Sequence, residues 1–199
     1  MNKRGKIFVV SGPSGSGKTT LRDKLLEDAS LRRKFTKSVS FTTRPKRSRE
    51  RHGRDYFFLK DADFKRRLKA KEILEWTEYL GYYYGTSRSF VSKQIKQGKC
   101  IILCLDLKGA LGVKRLFPRN SATIFVLPPS LRILRQRIEK RCQKTKKEEV
   151  ARRLRLAKEE ISTSCHYDYI IVNKNLKRAV RELRKIVLEE MCLQDNGGI

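Results

Sequence analysis

Short apolar runs and longer amphipathic stretches follow one another along this chain. Four runs are almost wholly apolar, as is typical of strands covered on both faces of a sheet, and they lie at 6–10, 100–105, 122–127 and 169–172. Other stretches repeat apolar residues at helical spacing and predict helices at 20–26, 130–141, 148–162 and 176–191. Because strands that alternate with helices form a parallel sheet, the pattern predicts an α/β domain with helices on both faces.

Residues 38–86 break this alternation. The runs 55–59 and 73–79 predict strands with polar interruptions, and 61–68 predicts a short capped helix between them. This group of elements predicts a small, mobile insert that holds a substrate. A second mobile segment is predicted around 141–147, which is polar and lies between two arginine-rich helices.

The length of 199 residues and an apolar fraction of 39% fit a single domain with one substantial core. The predicted division gives the core 4–37, 87–136 and 148–191, the insert 38–86, the lid 137–147 and the tail 192–199. The last six residues of the tail are expected to be disordered. No internal repeat is present.

The charge of the chain is strongly positive, with 48 Lys and Arg against 21 Asp and Glu and a formal net charge of +27. Such a field attracts nucleotides, nucleic acid or anionic lipid. The basic residues are spread along the whole chain, however, which favours a solvated basic surface. The sequence has no zinc-finger, RNP or KH signature, so we predict no specific nucleic-acid partner.

The five cysteines contain no C-x-x-C pair, which argues against a zinc site. Cys100 and Cys104 are too far apart on an extended strand for a disulfide, so we predict that they are separate thiols. Separate thiols suit a reducing compartment. No apolar run approaches the roughly 18 residues of a membrane span, and residues 1–5 lead directly into the first predicted strand, without room for a signal peptide. These features predict a cytoplasmic protein without a membrane partner, and no feature indicates an oligomeric state.

One glycine-rich segment carries the clearest chemical signal. It fits the phosphate-binding pattern G-x-x-x-x-G-K-[ST] and consists of Gly12, Pro13, Ser14, Gly15, Ser16, Gly17, Lys18 and Thr19. A predicted strand precedes it and a predicted helix follows. Main-chain N–H groups, the helix N-terminus and the Lys18 ammonium therefore form an anion site, with the Thr19 hydroxyl placed to bind a magnesium ion.

Further motifs carry a resemblance to a known family. They lie at 38–47, 52–58, 74–76, 83–86, 105–109 and 167–173. In their order and spacing they resemble the guanylate kinases, and the resemblance covers residues 6 to about 190. It implies a P-loop NTPase-type parallel sheet with a small GMP-binding insert and a short lid. It also implies transfer of a phosphoryl group from ATP to GMP, giving ADP and GDP, with Mg²⁺.

On the GMP side, Arg44 and Arg47 can grip a phosphate in the bidentate way that guanidinium allows. Tyr56 and Tyr84 can donate phenolic hydrogen bonds to the same oxygens. Guanine presents N1–H and N2–H₂ donors, which suit a carboxylate, and Glu75 matches the family's carboxylate for that edge. The resemblance implies that Ser40 and Thr86 supply the hydroxyl partners of the base.

On the ATP side, the resemblance implies that the glycine-rich loop holds the phosphates. The implied ATP-binding residues are Gly12, Pro13, Ser14, Gly15, Ser16, Gly17, Lys18, Thr19, Thr20 and Asn173, with Asn173 near the adenine. Lys18 is implied to be catalytic, and Asp106 to support the metal through water. Arg137, Arg141 and Arg153 are implied to close over the transferring phosphoryl group.

Three segments depart from the family pattern. Cys104 stands where the family has an acid that contacts guanine, and a thiol is a weak, normally uncharged acceptor. The loop 48–52 is more basic than its counterpart in the family, and the segment 142–147 lacks the family's glycine and first acid. Base selectivity either rests on Glu75 alone or is relaxed.

Three other functions stay open at this point. A related kinase of another nucleoside monophosphate or of a ribose bisphosphate finds its main support in Cys104. A non-catalytic guanylate-kinase-like interaction module is disfavoured because such modules typically have a degraded phosphate loop, whereas Lys18 and Thr19 are intact here. A nucleic-acid binder that acts through bulk charge would lose its affinity with salt.

Overall fold

The structure is a computed structural model that describes residues 5–141 and 147–196. Its elements follow the chain as β1 Ile7–Ser11, α1 Lys18–Leu25, α2 Ala29–Lys34, β2 Phe35–Lys37, β3 Phe41–Thr42, β4 Phe57–Phe58, α3 Asp61–Lys69, β5 Ile73–Tyr79, β6 Tyr82–Ser87, α4 Arg88–Lys96, β7 Cys100–Cys104, α5 Leu107–Leu116, β8 Ser121–Leu127, α6 Leu131–Arg141, α7 Lys147–Ser162, β9 Tyr169–Val172 and α8 Leu176–Asn196. One turn of 3₁₀ helix, Ser164–His166, joins α7 to β9.

Five parallel strands form the central sheet, in the order β2–β7–β1–β8–β9. Strand β1 is buried along its whole length because both faces of the sheet are covered. Phe8 and Val10 contribute to a cluster with α1 and α8, whereas Ile7 and Val9 face a cluster with α4 and α5. This confirms the predicted α/β class with helices on both faces.

A second sheet lies within residues 41–87. Its order is β4–β3–β6–β5, with β3 and β4 parallel and the other pairs antiparallel. Helix α3 packs against it through Phe64, which is fully buried beside Phe41 and Ile73. The segment predicted to be the insert therefore has its own sheet, helix and apolar cluster.

Most predicted elements lie within one or two residues of the observed ones, but three differences stand out. Of the predicted strand 55–59, only Phe57–Phe58 belongs to the sheet. Asp55 lies in the turn that contains Gly53, which has φ 77°, and Tyr56 forms an isolated bridge with His52. Strands β2, β3 and β6 and helices α2, α4 and α5 were not predicted. Two of these strands have only two or three residues, too few to show a period.

The C-terminal helix is longer than expected. The predicted tail starts at 192, whereas α8 continues through Asn196. The helix therefore extends beyond its predicted end at 191, because the helix-breaking Gly197 and Gly198 come only after Asn196. In the part of the chain that the structure describes, no helix, α8 included, is both long and apolar enough to cross a membrane.

The predicted lid, 137–147, falls partly on helix and partly outside the described residues. Its first five residues belong to α6, which packs on α7 through Leu134, Ile138, Val150 and Ala157. Residues 142–146 lie outside the described residues, as do the first four residues and the last three.

Candidate active site

A cleft of about 1270 Å³ opens between the two sheets. One wall is the glycine-rich loop between β1 and α1 together with the carboxyl end of β7. The opposite wall comes from the insert, and α6 and α7 complete the rim. The position at the carboxyl ends of parallel strands is where α/β sheets hold ligands.

Glycine is required in the loop by close approach as well as by conformation. Gly12 has φ 131°, and a Cβ there would lie 2.4 Å from the main-chain oxygen of Val126. Gly17 has φ 100°, and its Cβ would lie 2.4 Å from Nδ2 of Asn173. The loop therefore lies directly on β8 and on the end of β9, with its main chain turned to the cleft.

Asn173 and Arg137 line the cleft beside this loop and hold its main chain by hydrogen bonds. Asn173 Nδ2 donates to the main-chain oxygen of Ser16 at 2.8 Å, and Asn173 is buried. Arg137 donates from Nη2 to the main-chain oxygen of Asn173 at 3.0 Å and from Nη1 to that of Ser16 at 3.4 Å. The structure thus brings the predicted residue from α6 to the phosphate loop, while the side chain of Arg141 lies outside the described residues.

The polar groups on the helix side face the cleft. Lys18 begins α1, and its Nζ donates to the main-chain oxygens of Gly12 and Pro13. Thr19 and Thr20 are exposed at the cleft. Asp106 caps α5 by accepting from the main-chain N–H of Gly109 at 2.9 Å, and it also lines the cleft.

On the opposite wall, Arg44 is already engaged. Its Nη2 donates to both carboxylate oxygens of Glu50, at 2.8 and 2.9 Å, and its Nη1 donates to the main-chain oxygen of Pro45 at 2.7 Å. The guanidinium lies 5.5 Å from the ring centre of Tyr56. Glu50 also accepts from the main-chain N–H of Arg47 at 2.9 Å. An internal carboxylate thus occupies this arginine, which the sequence analysis did not foresee.

Two phenols stand beside Arg44. The rings of Tyr56 and Tyr84 meet edge to face, with centres 6.0 Å apart. Burial raises the pKa of Tyr56, so the phenol keeps its proton at neutral pH and can donate. Ser40 and Arg47 also line the cleft. The four side chains predicted to bind the GMP phosphate, Arg44, Arg47, Tyr56 and Tyr84, therefore share one wall.

Glu75 is a buried carboxylate at the inner end of this wall. Its Oε1 accepts from the Thr86 hydroxyl at 2.5 Å. A Cβ on Gly109 would lie 2.6 Å from Oε2, so the carboxylate packs against the first turn of α5. Burial raises the pKa of Glu75 to about 7, the charge of Asp106 adds to the shift, and the Thr86 hydrogen bond opposes it.

Some predicted site residues lie behind the surface of the cleft. Pro13, Ser16 and Thr86 are buried and do not line it. Thr86 is fully buried and donates its hydroxyl hydrogen to Glu75. Thr86 therefore contacts the carboxylate from behind.

Cys104 lines the cleft at the carboxyl end of β7. Burial raises the pKa of its thiol, which keeps the sulfur uncharged at neutral pH. The Sγ lies 3.9 Å from Nη1 of Arg22, a buried arginine whose other partner is Asp23, 3.0 Å from its Nε. Arg22 was not among the predicted residues, and no motif pointed to it.

Glu160 on α7 is a cleft residue that the sequence analysis missed. Its Oε2 is buried and has no hydrogen-bond partner among the described residues. Burial raises the pKa of Glu160 to about 7, Lys18 opposes the shift and Asp106 adds to it. Arg153, seven residues earlier on the same helical face, also lines the cleft, and its Nε donates to Glu149 at 3.0 Å. The seven-residue spacing between Arg153 and Glu160, which places both on one face of a helix, was the sequence feature that could have indicated Glu160.

Comparison with known proteins agrees with this geometry. The family model described as guanylate kinase matches residues 4–190. A guanylate kinase of Symbiobacterium thermophilum is 46% identical over 98% of this chain and 90% of its own length, and one of Thermotoga maritima is 43% identical over 94% and 88%. The crystal structure of guanylate kinase from Anaplasma phagocytophilum superposes with a TM-score of 0.78 at 32% identity, covering 94% of this chain and 87% of that chain. The chain belongs to the guanylate kinase family.

Proposed function

We propose that the two walls of the cleft divide the work of phosphorylating GMP with ATP, the reaction of guanylate kinases. The loop 12–19 holds the phosphates of ATP, and the insert 38–86 holds GMP. The observation that supports this division is that two sets of anion-binding groups line a single cleft, main-chain amides with Lys18 on one wall and guanidinium and phenol groups on the other.

On the ATP wall, the main-chain N–H groups of the loop and the start of α1 provide a ready site for phosphate oxygens. Lys18 adds a full positive charge beside them, and Asn173 and Arg137 keep the loop in shape. Because phosphoryl transfer depends on positioning and on neutralising charge, we assign Lys18 and Arg137 to the stabilisation of the transferring group. Arg153 approaches from α7, and Arg141 is assigned by resemblance alone.

The oxygen donors on this wall fit a magnesium ion. Thr19 offers a hydroxyl, and Asp106 offers a carboxylate of which one oxygen is engaged by Gly109. Mg²⁺ is typically bound by one or two protein oxygens, waters and the substrate phosphates. We assign Thr19 as a direct ligand and Asp106 as a ligand through water; when bound, the ion neutralises part of the phosphate charge.

On the GMP wall, Arg44, Arg47, Tyr56 and Tyr84 bind the phosphate. Glu75 accepts from the N1–H and N2–H₂ edge of guanine, Ser40 adds a hydroxyl, and Thr86 positions the carboxylate. Closure of the insert and the lid would expel water, which prevents hydrolysis of ATP before transfer.

The alternatives find less support. The relatives named above are guanylate kinases, which disfavours a kinase for another monophosphate or for a ribose bisphosphate. An intact phosphate loop facing a second anion site disfavours a non-catalytic module. The four cysteines that the structure describes are all free thiols. Free thiols suit a reducing compartment, and we propose that the protein is cytoplasmic.

A coupled ADP-release assay with GMP, dGMP, AMP, CMP and UMP tests this function. We expect turnover with GMP to exceed turnover with AMP and with both pyrimidine nucleotides. Equal rates with AMP and GMP would contradict the assignment of Glu75 to the base. Activity that disappears with salt but survives Lys18→Ala would indicate binding through bulk charge instead.

Glu75 predicts a pH dependence of GMP binding. Its pKa of about 7 means that the carboxyl is half protonated near neutrality, whereas guanine donors require the carboxylate. GMP binding should therefore release a proton. Its affinity should rise as pH increases through 7, level off above 8, and fall by up to tenfold per unit below 7. Calorimetric titration of GMP between pH 6 and 8.5 measures this.

The matched control for that profile is Glu75→Gln. The phosphate of GMP itself titrates near pH 6, and this contribution is common to both proteins. The glutamine side chain would keep an acceptor for Thr86 but cannot titrate. The wild-type profile should therefore be steeper than that of the variant, and identical profiles would remove Glu75 from the guanine edge.

Cys104 predicts a gain in selectivity on substitution. An aspartate there would pair with the Arg22 guanidinium, now 3.9 Å from the thiol, and would present a charged acceptor to the base. A charged hydrogen bond contributes about 1.5 kcal/mol or more. Cys104→Asp should therefore raise the kcat/KM ratio of GMP over AMP about tenfold. Cys104→Ser, uncharged and similar in size, should leave it unchanged; an unchanged ratio in both variants would mean that Glu75 alone reads the base.

A further inference from the structure

Two buried hydroxyl groups form a hydrogen-bonded series at the base of the phosphate loop. Tyr167 donates from its hydroxyl to Oγ of Ser11 at 2.8 Å, and Ser11 donates in turn to the main-chain oxygen of Leu105 at 2.7 Å. Both side chains are buried, Ser11 almost completely. The direction of the series is fixed, because the carbonyl of Leu105 can only accept and each hydroxyl has one hydrogen to donate.

This series joins the two segments that lead into the proposed magnesium site. Ser11 is the last residue of β1 and comes directly before Gly12, where the phosphate loop begins. Leu105 follows β7 and comes directly before Asp106. Strands β1 and β7 are parallel neighbours whose paired register ends one residue before Ser11 and Leu105. The Ser11 hydroxyl therefore bridges the two strands at the point where they separate.

Tyr167 holds Ser11 from the other neighbour of β1. It follows the 3₁₀ turn before β9, and the centre of its ring lies 4.9 Å from that of Phe125 on β8. Phe125 is also the register partner of Ser11. Because packing fixes the phenol and its hydrogen occupies one lone pair of Oγ, the Ser11 hydroxyl is oriented towards Leu105.

We propose that Ser11 is a positioning residue for the magnesium site, which acts through the main chain of Leu105 on the carboxylate of Asp106. The inference rests on the assignment of Thr19 and Asp106 to the metal above. Asp106 lines the cleft, and the main-chain N–H of Gly109 holds its carboxylate. The Ser11 bond fixes the residue directly before it. The placement of this carboxylate relative to the phosphate loop therefore depends on a side chain that contacts neither nucleotide nor metal.

The metal affinity of the enzyme tests this proposal. Mn²⁺ is the probe in place of Mg²⁺, and EPR measures its Kd for the enzyme bound to a non-hydrolysable ATP analogue, with the analogue alone as baseline. Ser11→Ala should raise this Kd about three- to tenfold, the worth of one hydrogen bond. The Kd of GMP, measured by calorimetry, should stay within about twofold, because the groups that we propose bind GMP lie on the opposite wall.

Ser121→Ala is the matched control. Ser121 is also a buried serine, and its hydroxyl likewise donates to a main-chain oxygen at 2.7 Å, that of Phe117. It lies at the start of β8, whereas Ser11 lies at the end of β1 that leads into the phosphate loop. Ser121→Ala should lower the Tm, as Ser11→Ala does, but should leave the Kd of Mn²⁺ at the wild-type value.

A double variant separates positioning from stability. Ser11→Ala leaves the buried hydroxyl of Tyr167 without its acceptor, which lowers the Tm. Ser11→Ala/Tyr167→Phe removes that hydroxyl as well and should recover part of the lost Tm. The oxygen of Leu105 still lacks the Ser11 hydrogen in the double variant, so the Kd of Mn²⁺ should remain as high as in Ser11→Ala.

Three results would overturn the proposal: an unchanged Kd of Mn²⁺ in Ser11→Ala, an equal rise in Ser121→Ala, or a Kd that recovers together with the Tm in the double variant. The last would show a merely structural role. Asp106→Asn distinguishes failure of the metal assignment. An unchanged Kd of Mn²⁺ in Asp106→Asn would reject that assignment, whereas a raised Kd there with an unchanged Kd in Ser11→Ala would reject the role of Ser11 alone.

Discussion

Replacement of Lys18 by alanine should lower kcat at least about 100-fold while the Kd of GMP stays within about twofold of wild type. The size of the effect is that of removing one preorganised charge from a transition state. The reason for the split is structural: the Lys18 ammonium lies on the phosphate loop, where it donates to Gly12 and Pro13. The groups that we propose bind GMP lie on the opposite wall of the cleft. The coupled ADP-release assay and calorimetry measure the two quantities.

The control for Lys18→Ala is Lys24→Ala on the same helix. Lys24 is exposed and pairs only with Glu27, at 3.0 Å, among the described residues. Lys24→Ala removes one positive charge from α1, as Lys18→Ala does, but leaves the loop intact. Both kcat and the Kd of GMP should therefore remain unchanged. A Lys18→Ala enzyme that loses GMP affinity as much as turnover would show that the two walls do not act separately.

Replacement of Arg44 by alanine should weaken GMP binding by about 2–5 kcal/mol, the range for truncating one partner of a buried, hydrogen-bonded charge pair. This corresponds to a Kd at least about 30-fold higher. Part of the lost GMP affinity is expected because the variant leaves Glu50 without its partner. The Glu50 carboxylate lies at the cleft and is only 17% exposed, so without Arg44 it would repel the incoming phosphate.

A second variant separates the two contributions to the Arg44 effect. Arg44→Ala/Glu50→Gln still lacks the guanidinium but also removes the repelling charge, so it should recover part of the lost affinity. Arg49→Ala, which changes an exposed arginine of the same loop, should leave the Kd of GMP within about twofold. Unchanged GMP affinity in Arg44→Ala would remove this arginine from the phosphate site.

The central sheet was predictable because its main strands are buried on both faces. Ile7, Phe8 and Val9 are all apolar, and an apolar run directly before the glycine-rich loop indicates a buried strand. The order of the strands in the sheet, by contrast, could not be predicted. Strand β2 has three residues and pairs with β7, more than sixty positions later, and no local pattern records that contact.

Most of the residues assigned to the site could be named from sequence motifs, but their hydrogen-bond partners could not. Arg44 and Glu75 stand in motifs, but whether Arg44 would be bound by Glu50, or Glu75 by Thr86, depends on side-chain packing across a turn and between strands. Glu160 stands in no quoted motif. It reaches the cleft because α7 crosses the rim, which is a property of tertiary packing.

The contact of Asn173 with the phosphate loop has a consequence for synthesis of the chain. Ser16 receives its hydrogen bond from Asn173, which lies 157 positions later in the sequence and is therefore synthesised long after the loop. Helix α1 likewise packs on α8. The contacts that hold the nucleotide-binding loop therefore become available only after β9 and α8 have been synthesised, and we expect a protein truncated before β9 to have no kinase activity.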